Sequence, residues 1–303
     1  MSKVFLHIGY PKTATTTLQR HLFSTSNNLL YLGKPFKDKC VENWINEICY
    51  NTSVDYSSDD FRNWFKEYRN NHDFPIFLSH EGFLMPSAQD LQIICERIIK
   101  VFGNCKIVLT LRNQWEIASS FYYSAGLKGL HLFMNSPSIR SFPISANEWV
   151  EYNLTDKTRP MKFHHKSFFS YLDFNRTIDF LNSKFGKENI SILLFENFIK
   201  DKNLFINNFE DILGCKFSAE SFEEKHENKT FYGGMNLKAY LDRLYLKLSG
   251  GSYAFKQKWD SVELFKSNLK KEYRVELEEY FSEANKKLQE KIDTNLKDLG
   301  YSV

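Results

Sequence analysis

Apolar positions along this chain follow two rhythms. Short, mostly apolar runs occur at Val4–Ile8, Leu29–Leu32, Pro75–Ser79, Lys106–Leu111 and Ile190–Phe195. They are too short for helices and the right length for buried strands. Between them, apolar residues recur three and four apart: Leu18 and Leu22; Val41, Trp44, Ile45 and Ile48; Phe61, Trp64, Phe65 and Tyr68; and Leu91, Ile94, Cys95, Ile98 and Phe102. That spacing lays one apolar stripe on a helix. It predicts helices after Thr13, over 36–50, Phe61–Tyr68, Ser87–Val101, Trp115–Tyr123, Ser170–Phe185 and Leu204–Leu213, then over Leu237–Leu248, Val262–Leu269 and Val275–Leu296. Strands alternating with helices predict an α/β fold around a parallel sheet. Residues 124–165, cut by Gly126, Gly129, Pro137, Pro143 and Pro160, yield no regular element. No repeat or low-complexity linker divides the chain, so one domain over 1–303 is expected, an α/β core at 1–235 with a helical C-terminal extension at 236–303.

The chemistry collects where the predicted strands end, which is where open parallel sheets bind ligands. After the first strand, Gly9-Tyr10-Pro11 breaks the run, and Lys12, Thr13, Ala14, Thr15, Thr16 and Thr17 lead into a helix. Free N–H groups and a positive dipole end make that junction an anion site, although a Thr-rich helix start also serves as a plain cap. The nucleotide-kinase frame G-x-x-x-x-G-K-[ST] fails here. With Gly9 as first glycine, Ala14 stands at the second and Thr15 where the lysine belongs. After the strand at Pro75–Ser79 come His80 and Glu81, adjacent on an extended segment and so pointing to opposite sides. One is expected to face the ligand and the other to pack. After Lys106–Leu111 comes Arg112, a forked phosphate donor, with Ser120 on the helix that follows.

Composition narrows the setting. Net charge is only +3 with no long basic run, which argues against nucleic acid as partner. Five cysteines form no C-x-x-C, and His164-His165 has no acidic or cysteine partner at chelating spacing, so neither a disulfide framework nor a metal is expected. No run reaches the roughly 18 apolar residues of a membrane span, and the N-terminus does not read as a signal peptide. A cytoplasmic, bacterial setting is the expectation; oligomeric state is left open.

The run Tyr10-Pro-Lys-Thr-Ala-Thr-Thr-Thr17 resembles the 5′-phosphosulfate loop of sulfotransferases, commonly Tyr-Pro-Lys-Ser-Gly-Thr-Thr-Trp. Ala14 for Gly and Thr17 for Trp are departures, and the first asks for ordinary helical or extended dihedrals at residue 14. Arg112 and Ser120 match the Arg-x7-Ser spacing with which that family holds a 3′-phosphate, and Phe195-Glu-Asn197 resembles its late strand end. The resemblance implies a P-loop-like central parallel sheet flanked by helices. It implies 3′-phosphoadenosine-5′-phosphosulfate as sulfuryl donor, adenosine 3′,5′-bisphosphate as product, and no metal. Donor ligands would be Lys12, Thr13, Ala14, Thr15, Thr16, Thr17, Arg112 and Ser120, with Lys229 standing in the family's Arg-Lys-Gly loop. Lys12 would also stabilise the leaving group. The general base would be Glu81, the preferred reading, or His80. A carbohydrate hydroxyl is the implied acceptor, from the glutamate and from Asn285-Lys-Lys-Leu288, similar to a terminal helix of bacterial glycan sulfotransferases. Two rivals stay open: an ATP-dependent kinase with a degenerate loop, and a silent nucleotide- or glycan-binding module.

Overall fold

The computed structural model describes residues 3–85, 90–125, 146–155, 168–218 and 269–303. Five parallel strands form one sheet in the order β2-β3-β1-β4-β5: β1 Val4–Gly9, β2 Leu30–Tyr31, β3 Ile76–Ser79, β4 Lys106–Leu111 and β5 Ile190–Leu194. Every residue of β1 is buried, as a central parallel strand covered on both faces requires. Around the sheet lie α1 Thr15–His21, α2 Lys39–Tyr50, α3 Asp59–Asn70, α4 Leu91–Phe102, α5 Gln114–Ala125, α6 Ala146–Thr155, α7 Phe168–Tyr171, α8 Phe174–Phe185, α9 Phe195–Lys200, α10 Lys202–Leu213 and α11 Lys271–Gln289.

Alternation along β1 separates two cores. Val4, Leu6 and Ile8 face the larger one, with Ile45, Ile94, Leu181 and Phe281. Phe5 faces the smaller, with Leu18, Phe23, Phe77, Phe205 and Phe209. Leu277, Phe281 and Leu288 carry α11 into the larger core, so the C-terminal helix shares the sheet's own packing.

Several elements depart from expectation. The helix expected over Ser170–Phe185 is two, and the Asp173 side chain caps the second by accepting from the Arg176 N–H. The last strand stops at Leu194 because its ladder with β4 ends at the Leu111 pair, and Phe195 opens α9 instead. Helix α4 starts at Leu91 behind Asp90, not at Ser87; residues 86–89 lie outside the described set. Helix α11 ends at Gln289, whose amide donates to the carbonyls of Ile292 and Thr294 and accepts from the Leu296 N–H, turning the chain back. Helix α6, invisible in the sequence, buries Trp149 and Val150. Lys229 and the helix expected over 237–248 fall outside the described residues, as do His164, His165 and residues 262–268. Among the described residues no helix is long and apolar enough to cross a membrane, and no His/Cys/Asp/Glu cluster suited to a metal is present. All five cysteines are free.

Candidate active site

Strand β1 lies at the centre of the sheet: the chain runs from it to the edge strand β2, returns to β3 at its side, and then crosses over it to β4. The carboxyl ends of these strands therefore face one crevice. The loop leaving β1 is tight. A Cβ on Gly9 would stand 2.5 Å from Thr15 Cγ2 and 3.0 Å from Thr13 Oγ1, so only glycine fits. Tyr10 is buried with its hydroxyl 2.8 Å from Thr177 Oγ1, and its N–H donates to the Thr110 carbonyl. Lys12 (φ 73°) and Ala14 (φ 56°, ψ 17°) are both left-handed. The expectation of ordinary dihedrals at Ala14 is thus corrected: the loop keeps a glycine's backbone geometry with an alanine in place. Thr13 is fully buried and its hydroxyl donates to the Tyr10 carbonyl, tying the turn closed. The ladder of α1 begins with the Leu18 N–H on the Ala14 carbonyl, so the N–H groups of Thr15 and Thr16 precede it. Thr15 and Thr17 are buried, whereas Ala14 and Thr16 remain partly exposed.

Arg112 meets this loop directly. Its Nη1 donates to the Lys12 carbonyl at 2.8 Å, and its guanidinium lies 4.9 Å from the centre of the Phe195 ring. Glu116 is a distant partner at 3.5 Å. Burial pulls the Lys12 ammonium below its usual range, and the neighbouring Arg112 charge pulls it further. No carboxylate pairs with Lys12 among the described residues. Ser120 is buried on α5, past Arg112 as the spacing required. Behind Arg112, Glu196 accepts from the Asn113 N–H at 2.7 Å and from the Tyr301 hydroxyl at 3.3 Å. Burial raises the Glu196 carboxyl, with these donors and the Arg112 charge opposing.

At the end of β3 one of the adjacent pair packs and the other is accessible, but not by strand alternation: His80 is extended, and Glu81 opens a short 3-10 helix, Glu81–Leu84. His80 is buried between Phe36 and Phe83, its Nδ1 accepting from the Gly82 N–H at 3.0 Å. The ring proton therefore sits on Nε2, which finds no partner among the described residues. Burial, then the Lys34 charge, holds this imidazole down to about 4, so it is neutral. Glu81 is the accessible member, its side chain 25% exposed. Oε1 lies 2.9 Å from Lys34 Nζ and Oε2 lies 3.2 Å from Gln19 Nε2. Burial alone would raise this carboxyl, but Lys34, as charge and as donor, outweighs it and holds Glu81 at about 2.

A buried polar chain runs beneath both ends. Gln19 Nε2 donates to Ser79 Oγ (3.0 Å), Ser79 Oγ lies 2.7 Å from His7 Nδ1, and His7 Nε2 lies 2.8 Å from Thr110 Oγ1. Ser79 Oγ accepts from Gln19, and the His7 ring, one nitrogen a donor and the other an acceptor, joins Ser79 to Thr110. Sequence reasoning missed Lys34, Gln19, Glu196 and this chain. The signals were weak: a histidine inside an apolar strand, and a glutamine on the buried face of a helix.

No family model matches the chain, and no curated protein matches it. Among solved structures it is similar to a sulfotransferase from Alicyclobacillus acidocaldarius, at 15% identity over 99% of each chain with a TM-score of 0.55. It is also similar to mouse sulfotransferase SULT7A1 complexed with PAP, at 14% identity over 93% of this chain and 84% of that one, with a TM-score of 0.43. The chain has the fold of a sulfotransferase.

Proposed function

We propose that the protein transfers a sulfuryl group from 3′-phosphoadenosine-5′-phosphosulfate to an acceptor hydroxyl. One observation carries the reading: Lys12 and Arg112, from two separate loops, meet at the sheet's carboxyl edge, with the Lys12 charge desolvated and without a carboxylate partner among the described residues. Two such cations beside a helix start call for a ligand with more than one anionic group. A nucleotide phosphorylated at both ends of its ribose suits them, Lys12 and the loop taking the 5′ side and Arg112 with Ser120 the 3′ side.

In this scheme the acceptor oxygen attacks sulfur in line and gives its proton to Glu81. The bond from sulfur to the phosphate-side oxygen breaks, and Lys12 with the N–H groups of Thr15 and Thr16 receives the charge building there. Glu81 is favoured over His80 because it is ionised and reaches the crevice, whereas the imidazole is sealed. A carbohydrate hydroxyl is the acceptor class we propose, on the sequence resemblance; free, mostly buried thiols suit a reducing compartment.

Thermal unfolding tests the donor. Adenosine 3′,5′-bisphosphate at about a hundredfold its dissociation constant is expected to stabilise the protein by about 2.7 kcal/mol without magnesium. Protection by ATP with magnesium alone would return the chain to the kinase reading. Labelled sulfate transfer to a panel of sugars, lipids and phenols tests the rest.

A further inference from the structure

Glu81 is gripped at both oxygens by residues from distant parts of the chain. Lys34, just past the edge strand β2, takes Oε1 at 2.9 Å, and Gln19, on the buried face of α1, takes Oε2 at 3.2 Å. Both grips are themselves pinned to the strand end that carries Glu81. The Lys34 N–H donates to the Ser79 carbonyl at 3.4 Å, and its own carbonyl accepts from the Tyr31 hydroxyl at 2.5 Å. The Gln19 amide lies 3.0 Å from Ser79 Oγ and 3.3 Å from the Ser79 carbonyl. Its two hydrogens thus serve three acceptors, so it has no freedom to leave.

Resting on the transfer reading above, the geometry points to Lys34 and Gln19 as the positioning residues of Glu81. They fix the carboxylate by one oxygen each, so that it meets the acceptor hydroxyl in a single orientation, and Gln19 ties that orientation to the helix that begins at the anion loop. An unclamped glutamate on a one-turn 3-10 segment rotates about its side-chain bonds, and a general base is useful only within hydrogen-bond reach of its proton. The clamp exchanges basicity for aim. The other groups that sense the Glu81 charge are His80, His7 on β1, Tyr31 on β2, and Cys49 and Tyr50 at the end of α2. All of these are neutral at neutral pH; of the groups that hold the carboxylate ionised against its burial, Lys34 acts most strongly and His80 less.

Carbon-13 NMR of the full chain, labelled at glutamate carboxyls and assigned with Glu81→Gln, reads the clamp without any acceptor. Glu81 is expected to stay ionised below about pH 4 in the wild type, whereas in Lys34→Met its midpoint rises toward the ordinary carboxylate value of about 4.3, because the strongest opponent of burial is gone. Lys34→Arg restores the low midpoint, and Gln19→Met gives a smaller rise. In sulfate transfer, Lys34→Met and Gln19→Met each lower kcat roughly 10- to 100-fold with the donor KM unchanged, and the acid limb of the rate profile follows the NMR midpoint. An ordinary midpoint in the wild type, or variants that leave kcat and the acid limb in place, overturns the proposal. Should Lys34→Met not fold, Gln19→Met decides by the same readings. A wild type that shows the low midpoint but binds no adenosine 3′,5′-bisphosphate and transfers nothing makes the clamp a structural ion pair, and places the failure in the transfer reading instead.

Discussion

The two ends of the crevice handle charge in opposite ways. At the β3 end the single carboxylate of Glu81 arrives already matched, with Lys34 on one oxygen and Gln19 on the other. At the β1–β4 end the match is uneven: Arg112 donates to the Lys12 carbonyl, makes a long contact to Glu116 and has Glu196 behind it, whereas Lys12 has no acidic partner among the described residues. The acid end is therefore complete as it stands. In the proposed function an anion completes the basic end, where like charges held together in a partly buried place raise each other's cost.

The contrast breaks most sharply at Glu81. Replacing it by glutamine is expected to lower transfer by roughly 10²- to 10⁴-fold, the range of a lost general base. Affinity for adenosine 3′,5′-bisphosphate, measured by calorimetry, should stay within about twofold, because Glu81 contributes nothing to the basic end. A parallel loss of affinity would mean that the two ends are one site electrostatically, against the separation drawn here.

Next in size is Arg112→Ala, expected to weaken that same affinity about 30- to 1,000-fold, the cost of removing one partner of a desolvated charge pair. Arg112→Lys keeps the charge but loses the fork that reaches both phosphate and the Lys12 carbonyl, and should recover only part of the loss. An unchanged affinity in either variant would contradict the placement of the 3′-phosphate.

These sites differ in how far they were legible in the sequence, for a physical reason. Lys12, Arg112 and Glu81 each follow an apolar run closely, so local pattern alone puts them at strand ends. All-buried β1 made its strand plain, and β4 was read to its true ends at Lys106 and Leu111. Lys34 and Gln19 reach Glu81 only because β2 pairs with β3 and because α1 folds back over the sheet. Nothing local to either residue records that. The Phe195 error has the same origin: whether it extends a strand depends on how far β4 runs beside it, and β4 ends at Leu111. Helix α6 was hidden because its buried Trp149 and Val150 are adjacent and give no clear three-and-four rhythm.

The polar chain beneath the two ends gives a third, smaller test, in stability rather than activity. Burial holds His7 at about 3, against the pull of the Glu81 charge, and His80 at about 4. Both lie below the unfolded value of about 6.5. The unfolded chain therefore takes up protons first, so stability is full above that value and is lost as pH falls toward the folded values, by up to about 1.4 kcal/mol per pH unit for each histidine. Glu81, depressed to about 2, adds its own loss only below about pH 4.3, so above that value the histidine losses are read without it. Urea unfolding of His7→Gln should show a shallower slope than wild type between about pH 6 and 4.5, whatever its absolute stability. Equal slopes would mean that His7 is protonated in the folded protein.

The smallest effect sharpens the comparison within the basic end itself. Lys12 and Ala14 are both left-handed without being glycine, a conformation that costs about 1–2 kcal/mol per residue. At Lys12 the proposed role of its charge accounts for the strain, because glycine there would relax the loop and remove that charge. At Ala14 no such account exists: a methyl group carries no charge and no hydrogen bond. Ala14→Gly should therefore relieve the strain while increasing the freedom of the unfolded chain by about 0.4–1 kcal/mol. The net expected gain in unfolding free energy is about 0.5 kcal/mol, with donor affinity within about twofold of wild type. If affinity instead falls severalfold, Ala14 stiffens the loop for its anion, and the alanine serves the same end as the lysine two residues before it.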